Sequence, residues 1–128
     1  MKRPLKRRSQ CLSRWISLLA GASLGQLAHA QSVPTGGVVT AGQAAIENTS
    51  DRSLAIRQQS DRSVIRWNDF SIAEGARVDF LQPNRNAATL NIVQGSDIST
   101  LAGILSANGS VYLVNPNGIA ITPTGLID

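Results

Sequence analysis

The side chains of this chain that could do chemistry are mainly carboxylates and serines, and the groups that would activate them are scarce. The single histidine, His29, and the single cysteine, Cys11, both lie within residues 1–30, and no lysine follows residue 30. A nucleophilic serine needs a base to take its proton. Zinc sites need clustered Cys and His ligands, which this spacing does not provide. The sequence therefore predicts no catalytic residues, no metal site, no cofactor and no enzyme.

The carboxylates leave one enzymatic alternative open. Asp51 and Asp61 occupy matching positions in a Ser-Asp-Arg-Ser repeat whose copies begin at Ser50 and Ser60. On adjacent coils of a solenoid they could bind Ca²⁺, as in β-helix lyases. A repeated turn–strand unit explains the pattern equally, because Asp and Ser close turns on their own backbone. We favour the turn–strand interpretation.

Residues 1–30 have the pattern of a secretory signal peptide. Basic residues precede a mostly apolar stretch, residues 15–24, that is too short to span a bilayer. Ala28 and Ala30 are the small residues of a cleavage site, so we expect cleavage before Gln31 and a domain spanning residues 31–128. The formal net charge of +4 then becomes −2, because six positive charges and no negative ones are removed. We therefore expect the general secretion machinery, and no nucleic acid, as a partner.

Residues 31–128 consist of short apolar runs separated by Gly, Asn, Asp, Ser and Pro. Their spacing of about ten residues is typical of all-β folds. The strand candidates are residues 38–40, 54–56, 64–67, 78–81, 89–93, 104–105 and 111–114. Residues 98–104 could form one helical turn. The pattern alone leaves a parallel β-helix and a sandwich of hairpins open. Asn108-Gly109 between two strand candidates is a hairpin signal that, taken alone, favours the sandwich. On a β-helix we expect these two residues at a corner or in a local hairpin.

Two sequence features stand out against this background. Residues 115–119 read Asn-Pro-Asn-Gly-Ile directly after an apolar run, and Asn, Pro and Gly at these positions favour a type I turn. Trp67 and Phe70 lie three residues apart on a predicted strand, so we expect them to point to opposite faces. An exposed ring of this pair could stack on a sugar, although core packing is the more common use of tryptophan.

Several motifs follow one another in the order known from one bacterial family. The chain resembles the two-partner-secretion, or haemagglutination-activity, domain of filamentous haemagglutinins, and most closely that of the high-molecular-weight adhesins. The residues that carry the resemblance are Trp67, Phe70, Gln82, Pro83, Leu90, Asn91, Asn108, Gly109, Asn115, Pro116, Asn117, Gly118 and Ile119. The chain departs from the family pattern at Ile92, where arginine is usual, and after Ile119, where an aromatic–glycine pair is usual.

The resemblance implies a right-handed parallel β-helix with an N-terminal cap, truncated at its C-terminal end. It implies a secretion-targeting module of a large exoprotein, recognised by an outer-membrane β-barrel transporter and nucleating β-helix folding. Residues 115–119 would be the secretion motif. The product would be secreted or displayed on the bacterial surface after passing through the periplasm. A domain that binds a host glycan or surface directly is the alternative.

Overall fold

The computed structural model describes residues 32–128. The predicted signal peptide and its cleavage site, Ala28 to Gln31, lie outside these residues. Within residues 32–128 there is no helix with the length and hydropathy that a bilayer crossing requires. The strands are β1 (Val38–Ala41), β2 (Ala44–Ser50), β3 (Ser53–Gln58), β4 (Arg62–Trp67), β5 (Arg77–Leu81), β6 (Ala88–Val93), β7 (Ser99–Leu101), β8 (Ile104–Ala107), β9 (Ser110–Val114), β10 (Ile119–Ile121) and β11 (Leu126–Ile127).

Strands β3 to β11 wind into a parallel β-helix with three faces. The first face stacks β3, β5, β8 and β11, and the second stacks β4, β6 and β9. The third face pairs β7 with β10, and an isolated parallel bridge joins Ile72 to Leu101. Because each strand pairs with the strand one coil earlier, the parallel β-helix is confirmed and the sandwich of hairpins is wrong.

The N-terminal part of the described chain runs in the opposite direction over the first coil. Strand β1 is antiparallel to β4, β2 is antiparallel to β3, and Thr35 makes an antiparallel bridge to Asp69. This reversed segment therefore covers the first coil on all three faces. It is the cap that the resemblance implied.

The core is closed at the capped end and open at the other. Alternate side chains of each strand point inward and stack, and those of Ile56 and Ile65 are fully buried. In the last coil, Ile121 pairs with the buried Leu101 and Ile127 pairs with the buried Leu105. Yet Ile121 is 59% exposed and Ile127 is 50% exposed. Within the described chain no strand covers the outer edges of β9, β10 and β11.

Asn108-Gly109 joins β8 to β9, which lie in different sheets, so it forms the corner and not the local hairpin, the two placements that were open for it on a β-helix. Two expectations about local structure are wrong. Residues 98–104 contain β7 instead of a helical turn, because Ser99 and Leu101 alternate into the core. Trp67 and Phe70 are 1% and 0% exposed, and their rings pack edge to face at 5.4 Å. Strand β4 ends at Trp67, so the strand alternation does not extend across the corner to Phe70.

Candidate functional site

Residues 115–118 form the corner between β9 and β10. The backbone N–H of Gly118 donates to the carbonyl oxygen of Asn115 at 3.0 Å, which closes the expected four-residue turn. The backbone N–H of Asn117 donates to Asn115 Oδ1 at 2.9 Å. Gly118 has a φ of 114°, a backbone conformation that favours glycine. The residue types of the motif therefore specify the shape of the corner.

The asparagine side chains of the motif tie this corner to the preceding coil. Asn115 Nδ2 donates to the carbonyl oxygen of Asp97 at 3.0 Å and to Ser99 Oγ at 2.9 Å. Asn117 Nδ2 donates to the carbonyl oxygen of Gly95 at 2.7 Å and to Asn115 Oδ1 at 3.1 Å. Ser99 is fully buried. Both side chains thus hold two coils together, and Asn115 has no free amide hydrogen to offer a partner.

Three residues of the motif are exposed. Pro116 and Asn117 are exposed at the tip of the corner, and Ile119 is 45% exposed at the start of β10. Ile119 pairs in register with Ser99, so it belongs to the row of inward positions that a further coil would cover. Among residues 115–119, direct contact with another molecule is therefore open mainly to Pro116, Asn117 and Ile119.

The same corner in the preceding coil contributes residues that sequence analysis did not single out. A Cβ atom on Gly95 would lie 2.0 Å from the carbonyl oxygen of Asn68, which lies at the same corner of the first coil. The corner at residue 95 can therefore stack on the corner at residue 68 only if residue 95 is glycine. Nearby, partial burial and then the Asp97 carboxylate raise the pKa of Asp69, while hydrogen bonds involving Ser71 oppose the rise. Gly95 and Ser99 carry no sequence signal of their own, because their partners lie about a coil away along the chain.

A second motif region lies at the corner between the first and second faces. Asn108 Oδ1 accepts from the backbone N–H of Gln82 at 2.7 Å, and Asn108 Nδ2 donates to the carbonyl oxygen of Gln82 at 2.7 Å. The Gln82 amide Nε2 donates to Thr89 Oγ1 and to the carbonyl oxygen of Ser110. A Cβ atom on Gly109 would lie 2.7 Å from Gln82 Oε1. Gln82, Asn108 and Gly109 therefore build a corner, and Pro83 follows it on the surface.

A third motif region spans the second face. Asn91 is fully buried, and its Oδ1 accepts from Trp67 Nε1 at 2.9 Å. Asn91 Nδ2 donates to the carbonyl oxygen of Tyr112 at 3.2 Å. Leu90 points outward from the same strand and is half-buried. The sequence motifs therefore occupy three separate places, and no common cleft brings them together.

The carboxylate pair of the enzymatic alternative does not have the required placement. Asp51 lies in the turn between β2 and β3, and Asp61 lies in the corner between β3 and β4 of the same coil. The two residues therefore do not stack on adjacent coils. In residues 32–128 no cluster of three or more His, Cys, Asp or Glu residues could hold a metal ion.

Comparison with known proteins places these features in a family. The model of the TPS secretion domain matches residues 30–128. Two similar proteins are heme/hemopexin-binding proteins of Haemophilus influenzae. The first is 44% identical over 81 residues, 63% of this chain and 9% of that protein. The second, from strain ATCC 51907 / DSM 11121 / KW20 / Rd, is 39% identical over 95 residues, 74% of this chain and 10% of that protein.

A solved structure shares the fold. The HMW1 secretion domain from Haemophilus influenzae superimposes with a TM-score of 0.65 at 40% sequence identity, covering 70% of this chain and 23% of that one. The chain thus spans about a tenth of the length of the curated relatives that it matches. With the family model matched over all of the described residues, this chain belongs to the TPS, or two-partner-secretion, secretion-domain family.

Proposed function

We propose that this chain is the secretion-targeting module of a large exoprotein. In this proposal an outer-membrane β-barrel transporter recognises it, and its coils then nucleate the folding of the passenger polypeptide. Membership of the secretion-domain family supports the targeting role. The capped and open ends of the β-helix support the nucleating role.

The observation that carries the nucleating role is the difference between the two ends. The reversed N-terminal segment covers the first coil, so this end has no open stack of inward side chains. At the other end, β9, β10 and β11 offer unpaired backbone groups beside the exposed inward side chains of Ile121 and Ile127. An exposed strand edge is a template for another strand. In this proposal, further coils add at this end and not at the end that the reversed segment covers.

A substitution at the open end tests nucleation. Ile121→Asp in this chain, fused to a β-helical passenger, should slow the appearance of protease resistance in the passenger, because a charge is costly on a surface that the next coil buries. Leu81→Asp is the matched control, since Leu81 is 42% exposed on the outer side of β5. Equal folding rates for the two variants would exclude templating at this end.

The corner at residues 115–118 supports recognition chiefly by shape. Its asparagine side chains are occupied by bonds to the preceding coil. We therefore propose that residues 115–119 hold the third coil in the form that the transporter recognises, and that the exposed residues Pro116, Asn117 and Ile119 supply what direct contact the motif makes.

The double variant Asn115→Ala/Asn117→Ala tests this role. When the cognate transporter is co-expressed, we expect less of the chain in the medium and more in the periplasm, with passage through the inner membrane unchanged. Asn84→Ala is the matched control, because Asn84 closes a similar turn with Asn86 and bonds to Asp61, at a corner outside the motif. Normal secretion of the double variant would remove residues 115 and 117 from the recognition model.

Glycan binding by the motif aromatics has less support. Trp67 and Phe70 are buried in the core, so neither ring is available to stack on a sugar. The names of the relatives attach heme and hemopexin binding to proteins about ten times longer than the matched segment. We therefore advance secretion targeting and folding nucleation for this chain, and neither glycan nor heme binding.

A further inference from the structure

Two outer faces of this β-helix differ sharply in chemistry. On the first face, outward side chains form ion pairs, Glu47 with Arg57 at 3.3 Å and Asp79 with Arg77 at 2.7 Å. On the second face, most outward side chains of the four-stranded sheet are aliphatic or aromatic. Both faces meet the same solvent, so the difference points to an additional contact on the second face.

The outward side chains of the second face form two rows across its strands. One row is Val64, Leu90 and Tyr112, which are in register on β4, β6 and β9. The other row consists of Val38, Arg66, Ile92 and Val114. Tyr112 is 58% exposed, Val114 48% and Val38 60%. We call the apolar members of these rows the apolar outer face: Val38, Val64, Leu90, Ile92, Tyr112 and Val114.

A groove runs along one side of this face. Its volume is about 430 Å³, and Arg62, Asn86 and Ser110 line it together with the row that ends at Tyr112. This volume is in the range of sites that hold a ligand or a short peptide segment. The groove combines an apolar floor with a guanidinium group at its rim.

We propose that the apolar outer face docks an extended segment of a partner polypeptide. Every second side chain of this segment is apolar and faces the surface, and the segment carries carboxylates at one end. The proposal rests on the outward side chains of the second face and not on the motif at residues 115–119, which begins directly after Val114 at the end of β9.

The charges on this face select the chemistry of the occupant. Strands β1, β4, β6 and β9 contain no Asp or Glu and two arginines, Arg62 and Arg66. Neither arginine belongs to the ion pairs found among residues 32–128, and Arg62 Nη1 donates to the carbonyl oxygens of Asp61 and Asn86 at 3.5 and 3.2 Å, so Arg66 is the more available cation. Both project from the first coil, whereas the second and third coils present only apolar groups in the two rows. A second copy of the chain would bring its own arginines to the same surface, so an acidic partner is favoured over self-association.

The dimensions of the face select an extended occupant. Two rows lie about 7 Å apart, because they are separated by two residues along each strand, and four strands span about 14 Å. An α-helix with its side chains is about 10–12 Å wide, which exceeds the width of the band. A single extended chain, with its acidic end over the first coil, matches both the width and the charge.

Peptide binding to the purified 128-residue chain tests the proposal. The probes are a fluorescein-labelled peptide, Glu-Glu-Val-Ser-Val-Ser-Val, and the same peptide with Lys-Lys at its start. By fluorescence anisotropy we expect the Glu-Glu peptide to bind about tenfold more tightly, because its charge complements the arginines of the face as well as the basic residues 1–30, and the part of this preference that Arg66→Gln removes reports the face itself. Tyr112→Ser should weaken its binding about tenfold by removing exposed apolar area. Arg66→Gln should reduce the preference for Glu-Glu about two- to fivefold.

Ile121→Ser is the matched control, because Ile121 is 59% exposed but lies at the open end. All variants share the basic residues 1–30, so differences between them report on the face itself, and thermal melts check that each variant is folded. Equal binding of the two peptides, or loss of binding in Ile121→Ser but not in Tyr112→Ser, would overturn the proposal. So would self-association that Tyr112→Ser abolishes, or binding to phosphatidylglycerol vesicles without binding of the peptide.

Discussion

At the scale of single residues, the Asn115 side chain makes more hydrogen bonds than any other side chain of the motif at residues 115–119. Its side chain donates two hydrogen bonds and accepts two. Because a hydrogen bond contributes about 1 kcal/mol net, we expect Asn115→Ala to lower the free energy of unfolding by about 2–3 kcal/mol. Urea denaturation measures this loss. Asn84→Ala should cost less, about 1 kcal/mol, and an equal loss for both variants would mean that the motif corner is no more tightly held than an ordinary corner.

The carboxylate of Asp69 gives the domain a pH dependence. Partial burial and the Asp97 carboxylate raise the pKa of Asp69 above 3.8 in the folded state. The folded chain therefore holds this proton more tightly than the unfolded chain. The free energy of unfolding falls as the pH rises from the pKa of Asp69 in the unfolded state to its higher pKa in the folded state. We expect Asp69→Asn to raise the melting temperature at pH 7, with the gain fading below about pH 3.8, where both states are protonated.

Asp51→Asn controls for the loss of one negative charge, because Asp51 is exposed in a turn. If Asp69→Asn and Asp51→Asn change the melting temperature equally at pH 7, the effect is one of net charge and not of this site.

Individual residues also show which features of the site could be predicted from the sequence and which could not. The turn at residues 115–118 follows from its residue types, since Pro and Gly restrict the backbone. The bonds to Gly95 and Ser99 do not follow, because they join positions about a coil apart. The inward placement of Phe70 was missed because a corner interrupts the strand alternation, which the sequence pattern does not reveal.

At the scale of elements, the two ends of the β-helix should differ in stability. The first coil is covered by β1 and β2, whereas β10 and β11 each pair on one side only within the described chain. Amide hydrogens exchange fastest where few contacts restrain local opening. We therefore expect the slowest exchange in β3 and β5 and the fastest in β10 and β11, measured by mass spectrometry. Uniform protection across all coils would contradict this gradient.

The strands show which elements a sequence can predict. Apolar runs located β1 and six of the nine strands of the coils, but the short strands β7, β10 and β11 were not among the candidates. Strand β2 was also missed, because its sequence, AAIENTS, is largely polar. It forms a strand because it pairs with β3 and covers the first coil. Asn108-Gly109 matched a hairpin pattern, yet the pairing of β8 with β5 and of β9 with β6 overrides that local preference.

At the scale of the whole molecule, the two ends of the described β-helix differ in whether another segment covers the core. One end is capped and the other presents unpaired strands, so addition of coils extends the core instead of disrupting it. The sequence alone left a sandwich and a β-helix equally open. Only the resemblance to a family distinguished them, because the pattern of short strands is the same in both folds.

The most direct test of the account is secretion that depends on a transporter. The 128-residue chain would be expressed in cells with and without the cognate outer-membrane transporter, and its amounts in the periplasm and in the medium would be compared. The account predicts the chain in the medium only when the transporter is present, and in the periplasm otherwise. Equal amounts in the medium with and without the transporter, or retention in the periplasm in both cases, would contradict it.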